Sequence, residues 1–292
     1  MEVALQLLPA TITGILYALR VHHLAGTSRE VPSWRRACFF GGLALIVVTV
    51  TSMGSLADEL FWAHMVEHLV IGDLGTLLLV LGLTGPVLAP VLRIGFFDRL
   101  RVLAHPLVAF PLWAVNLYFW HVPLFHEAAV RHDVVHATQH FCFVAFGFNM
   151  WMALLGPLPK PAWFGNLARL FYIIAVRITG AILGNVFVFG GHVFFGVYAA
   201  GERAHGISPG ADQNAAGAVM MIEGSLLTLL LFGWLFARTA REGEERQELL
   251  ELAAARGVEL SEARAARAVA AGRGAELRRR IESGSSPSGS PT

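Results

Sequence analysis

Apolar residues along this chain gather into seven runs, each about long enough to cross a bilayer as a helix, at roughly 4–21, 37–56, 62–84, 106–124, 133–155, 167–195 and 214–237. The pattern predicts an all-α, polytopic transmembrane bundle of about seven helices. The first run opens Met1-Glu2 with no basic segment and no small-residue cleavage site before Arg20, so it is expected to remain as a span. Composition strengthens this picture: 55% of residues are hydrophobic and only 15% charged, so lipid is the expected solvent for most of the chain.

Charge in the connecting segments sets an expected orientation. One set of segments holds Arg20, Arg29, Arg35, Arg36, Arg93, Arg99, Arg101, Lys160, Arg169 and the arginines from Arg238 onward; the other holds only Arg131 and Arg203. Because cytoplasmic loops retain Lys and Arg, the N-terminus is expected outside and the C-terminus in the cytoplasm of a multi-pass cell-membrane protein. A net charge of +1 argues against a nucleic-acid partner. Cys38 and Cys142 are too few for a disulfide framework or a four-thiolate metal site.

Past the last apolar run the composition changes. The expected organisation is a membrane domain over 1–238, a charged cytoplasmic helical extension over 239–282 and a disordered Ser/Gly/Pro tail over 283–292. Gly257 followed by Ser261 predicts a break and a new helix cap within the extension.

Candidate chemistry lies in the histidines. His22, His23 and His105 fall on the expected cytoplasmic side. His64, His68, His121, His126, His132, His136, His140, His192 and His205 fall in outer loops or outer halves of spans. His64 and His68 stand at i and i+4, about 6 Å apart at Cβ on one helix face, a spacing that chelates one metal ion. His132, His136 and His140 repeat the interval on the fifth span, and His121 ends the fourth, where Pro123 stops the helix. Glu67 lies within a turn of both His64 and His68 and is placed to fix the tautomer of a ligating imidazole. Met65, Met220 and Met221 are candidate soft ligands, since thioether with imidazole suits copper. Asp73, Arg177 and Glu223 are further ionisable groups within spans. His126, His132 and His205 are loop or helix-end residues that also admit a plain reading as solvated groups.

Two other readings attach to these residues. His64-Met-Val-Glu67-His68 matches the H-x-x-E-H pattern of inverted zinc peptidases, but with three fixed positions and no marked third ligand or peptide cleft. Paired histidines on different spans also serve as haem axial ligands, in an electron carrier or a haem-handling protein.

The motif set as a whole resembles the multi-pass CtaG-type cytochrome c oxidase assembly factors, over about residues 50 to 235. The carrying segments are His64-Met65-Val-Glu67-His68 leading to Gly85-Pro86, then Trp120-His121-Val-Pro123, His136-Ala-Thr-Gln-His140 and Trp151. Gly184, Tyr198, Asp212-Gln213, Gly217, Met220 and Gly224 also follow the family pattern, whereas Gln139, His192 and Glu223 depart from it. The resemblance implies a non-enzymatic, copper-binding factor that supplies copper from the outer face to the catalytic subunit of a haem-copper oxidase. It also implies receipt of the metal from an extracytoplasmic copper chaperone. Within it, His64, His68, His121, His136 and His140 are the expected metal ligands.

Overall fold

The computed structural model describes residues 2–283, and every regular element among them is helical. Helix α1 spans Glu2–Leu24 and α2 Ser33–Ser52, followed by the short α3, Gly54–Glu59. Next comes α4, Phe61–Leu69, which runs through a π-helical turn at Val70–Gly75 into α5, Thr76–Gly82. Short helices α6 (Gly85–Leu92) and α7 (Gly95–Arg99) and a 3-10 turn at Leu100–Ala104 lead to α8, Pro106–Trp120. Then follow α9 (Pro123–Arg131), α10 (Asp133–Leu154), α11 (Asn166–Phe189), α12 (Ala199–Ala204), α13 (Pro209–Ala255), α14 (Glu262–Ala270) and α15 (Gly274–Glu282).

Among the described residues, four helical stretches are long and apolar enough to cross a membrane: Ser33–Ser52, Phe61–Gly82, Asn166–Phe189 and Pro209–Ala255. Gly95–Ala104 with Pro106–Trp120, bent by 77°, makes a fifth if the pair is counted as one. Four to five candidate spans therefore stand where the sequence predicts seven. Helix α10, with 22 residues, has the length of a span, but His136, Gln139, His140 and Asn149 dilute its apolar character.

The span formed by α4, the π turn and α5 is central. A π turn releases carbonyls from regular helical pairing, and buried carbonyls need partners. Here the Thr76 hydroxyl donates to the Gly72 carbonyl at 2.6 Å, and the Trp151 indole N–H donates to that of Asp73 at 3.0 Å. Helix α10 lies directly against the turn: a Cβ added at Gly147 would stand 1.9 Å from the Gly72 carbonyl oxygen. Small residues at such a crossing let two backbones approach, the usual basis of helix association in lipid. At the other end, the Arg35 guanidinium donates to the Leu81 and Leu83 carbonyls, both at 2.9 Å, supplying positive charge where α5 ends.

Arg177, Asp73 and Glu223, charged side chains within the spans, are paired, as low-polarity surroundings require. Arg177 on α11 donates to Asp73 Oδ2 at 3.0 Å and stands 3.8 Å from Glu223 Oε2 on α13, tying three elements together.

The chain divides into two compact units, Met1–Thr228 and Leu229–Thr292. In the second, Leu249, Ala253, Val269, Leu277 and Ile281 form a small apolar core. Helix α13 stops at Ala255, Gly257 turns the chain at φ +65°, and Ser261 occupies the N-cap of α14, matching the break and cap expected from sequence. Apart from Ser283, the stretch expected to be disordered lies outside the described residues.

Candidate metal centre

Helices α4 and α10 each present two imidazoles at a four-residue interval, and the Gly72–Gly147 crossing draws the two helices together. His64 and His68 on α4 have ring centroids 4.2 Å apart; so do His136 and His140 on α10. Across the helices, His64 stacks on His136 at 5.2 Å, and His68 meets His140 edge-on at 5.3 Å. Glu67 joins them from α4, its Oε2 lying 3.8 Å from His136 Nε2 and 3.5 Å from His140 Nε2. Two overlapping groups, His64/His68/His136 and Glu67/His136/His140, each bring their ligand atoms within 4.8 Å of one another. His136 belongs to both.

This cluster is sealed from solvent: His64 and Glu67 are 0% exposed and His68 is 5% exposed. Neither ring nitrogen of His64 or of His68 has a hydrogen-bond partner among the described residues. An unsatisfied buried polar group costs about 1–3 kcal/mol, and an uncompensated buried carboxylate costs several more. A cation held between the rings and Glu67 would take one nitrogen from each ring it binds and offset the carboxylate charge. The donors present, imidazole nitrogen and carboxylate oxygen, suit divalent copper or zinc, with copper the stronger binder in the general order of affinities.

The other expected ligands sit elsewhere. His121, at the C-terminal end of α8, gives Nδ1 to the Leu117 carbonyl at 2.6 Å and brings Nε2 to 3.3 Å from the Met65 sulfur. That pair flanks the cluster, and His121 approaches it through His126 at 6.2 Å. Met220 packs into an aromatic core with Phe61, Phe187 and Tyr198, while Met221 lies against Gly184 where α11 meets α13. His132 is exposed, so the ridge expected on α10 narrows to His136 and His140. His205 pairs with Glu59 at 2.7 Å near the surface, and His192 is exposed.

Two residues serve the site in roles that the sequence did not assign. His126, for which a solvated position was the plain reading, is 0% exposed; its Nε2 meets the Tyr198 hydroxyl at 2.8 Å and its ring lies 4.7 Å from His64. The signal for it was Pro123, which starts α9 straight after His121 and Val122 and so returns His126, one turn later, toward the bundle. The second is Asp212. Helix α4 has no capping side chain of its own at Leu60, and its first amides instead donate to Asp212: Phe61 N–H to Oδ2 at 2.8 Å and Trp62 N–H to Oδ1 at 2.9 Å. A carboxylate at a helix N-terminus both caps and complements the dipole. Gln213 beside it donates to the Phe187 and His192 carbonyls and accepts from the Phe194 amide. Asp212→Ala is expected to lower stability by about 2 kcal/mol, because one buried and one part-buried amide lose their acceptor. Thermal unfolding in detergent reads this directly, and an unchanged midpoint would show that the cap does not hold α4.

Comparison with known proteins joins this geometry to a lineage. The family described as cytochrome c oxidase caa3 assembly factor (Caa3_CtaG) matches residues 15–242, which include every histidine of the cluster. The chain belongs to this family. An uncharacterized protein of Mycobacterium leprae is 24% identical over 254 residues, covering 80% of this chain and 38% of its own length. Uncharacterized proteins of Mycobacterium bovis and Mycobacterium tuberculosis are each 27% identical over 193 residues, covering 59% of the chain and 29% of theirs. This caa3 assembly factor family member thus spans about a third of the length of the curated relatives it matches. No solved structure matches it.

Proposed function

We propose that this protein is a membrane-embedded, non-enzymatic copper-binding factor. In this reading it holds copper at His64, His68, His136 and His140 with Glu67, and supplies it from the outer face to the catalytic subunit of a haem-copper oxidase. One observation carries the reading: two histidine pairs on neighbouring helices face each other, the α10 pair lies beside the buried Glu67 carboxylate, and the ring nitrogens of His64 and His68 are unsatisfied among the described residues. Family membership supplies the oxidase, and the donor set favours copper. His121 and Met65 form an accessory pair beside the centre, placed to receive a softer cuprous ion. The source of the metal in this scheme is an extracytoplasmic copper chaperone.

The proposed topology has seven spans, with α1 and α10 crossing beside the four to five candidates above, the N-terminus outside and the C-terminus in the cytoplasm. It puts the histidine ends of α4 and α10 at the outer face of the cell membrane. Rings in mutual contact at 4.2–5.3 Å leave no slot for a porphyrin plane, which favours a bare ion over haem. Burial of Glu67 and both α4 histidines favours a holding site over a peptidase, since an extended peptide needs an open cleft.

Detergent-purified full-length protein, loaded with copper and dialysed, is expected to retain about one ion per chain. In cells lacking the protein, the oxidase catalytic subunit should accumulate with its copper missing. Metal analysis of both samples decides the matter: a wild-type protein that retains no copper would overturn the reading.

A further inference from the structure

The buried cluster needs a route for an ion. Most of its surroundings refuse one. Phe143 packs against His68 at 4.5 Å, and Phe195 covers His126 at 4.1 Å. His140 lines a groove of about 380 Å³, but its walls are mainly apolar, with Leu43, Ile46, Val47, Ile71 and Phe141 beside the hydroxyls of Thr13 and Thr138, and they offer a hydrated cation little in exchange for its water.

A polar side chain beside the cluster reaches water. Asp58, near the end of α3, has a side chain 50% exposed, and its Oδ1 lies 4.0 Å from Nδ1 of His136, which is 4% exposed. The carboxylate thus meets solvent on one side and, on the other, stands 4.0 Å from the imidazole common to both ligand groups.

We propose that Asp58 is the portal carboxylate through which the metal ion passes from water to His136. This rests on the copper reading above. A negative charge at the mouth of a low-dielectric site concentrates cations there and accelerates their capture. Once the ion is seated among His64, His68, His136, His140 and Glu67, Asp58 contributes little to its retention.

The test is stopped-flow uptake of copper(II) chloride by the full-length protein in detergent, followed by quenching of tryptophan fluorescence, with bound copper measured afterwards. Asp58→Asn is expected to slow association about ten-fold at low ionic strength and to flatten its salt dependence. Equilibrium occupancy should stay within about two-fold of wild type, and Asp58→Glu should restore the rate. An unchanged rate in Asp58→Asn overturns the proposal while leaving the copper reading intact. Loss of bound copper together with rate overturns it too, by making Asp58 a ligand. Failure of wild-type protein to take up copper removes both ideas.

Discussion

Replacing His136 by alanine is expected to weaken copper binding by more than about 100-fold while leaving a folded, membrane-inserted protein. Disturbing groups that merely orient a ligand costs about 10–100-fold in metal affinity, so loss of a ligand should exceed that range. His136 is the most sensitive single position because it belongs to both groups of converging donors, so its removal leaves neither intact. Losing His64 or His140 spares one group each, and smaller losses are expected there. His132 provides the control: it lies one turn earlier on the same sequence interval but is exposed, so His132→Ala should bind copper as wild type does. Equilibrium dialysis against a competing chelator reads the difference. If His132→Ala and His136→Ala bind equally well, the convergence of α4 and α10 has no bearing on the metal.

Valine at Gly147 is expected to have the largest effect on the fold. The first carbon of any side chain there would sit 1.9 Å from the Gly72 carbonyl oxygen, and the obstacle is backbone in a π turn rather than the end of a flexible side chain. Overpacking a well-ordered interior costs about 1–3 kcal/mol even when side chains can shift. Here α10 and the α4–α5 span must separate, so a loss of at least about 3 kcal/mol is expected. Because the same crossing brings the two histidine pairs together, copper retention should fall in parallel. Gly41→Val on the exposed side of α2, where a Cβ meets nothing within 4 Å, should change neither. Yield of monodisperse protein and its unfolding midpoint measure the contrast.

What the sequence made legible, and what it hid, follows from which distances are local. His64 with His68 and His136 with His140 were readable as pairs because a helical period fixes them within one element. That the pairs face each other depends on the Gly72–Gly147 approach, which no spacing rule encodes. Asp212 caps α4 from 150 residues away, and such a contact leaves no local mark. His126 looked solvated because it follows a helix end, although Pro123 restarts the chain inward. Thioether chemistry offers the methionines as soft ligands, but residue type does not set azimuth, and Met220 and Met221 turn to the packing between α11 and α13. Seven apolar runs became four to five candidate spans partly because the polar groups on α10 that could bind metal also lower its apolar character.

The central claim, a copper ion held by imidazoles from α4 and α10, is tested most directly by X-ray absorption spectroscopy of the copper-loaded, full-length protein. A nitrogen/oxygen shell with the multiple scattering of several imidazole rings is expected, reduced in His136→Ala. A shell dominated by sulfur, or imidazole scattering that persists unchanged when His64, His68, His136 and His140 are all replaced, would contradict it.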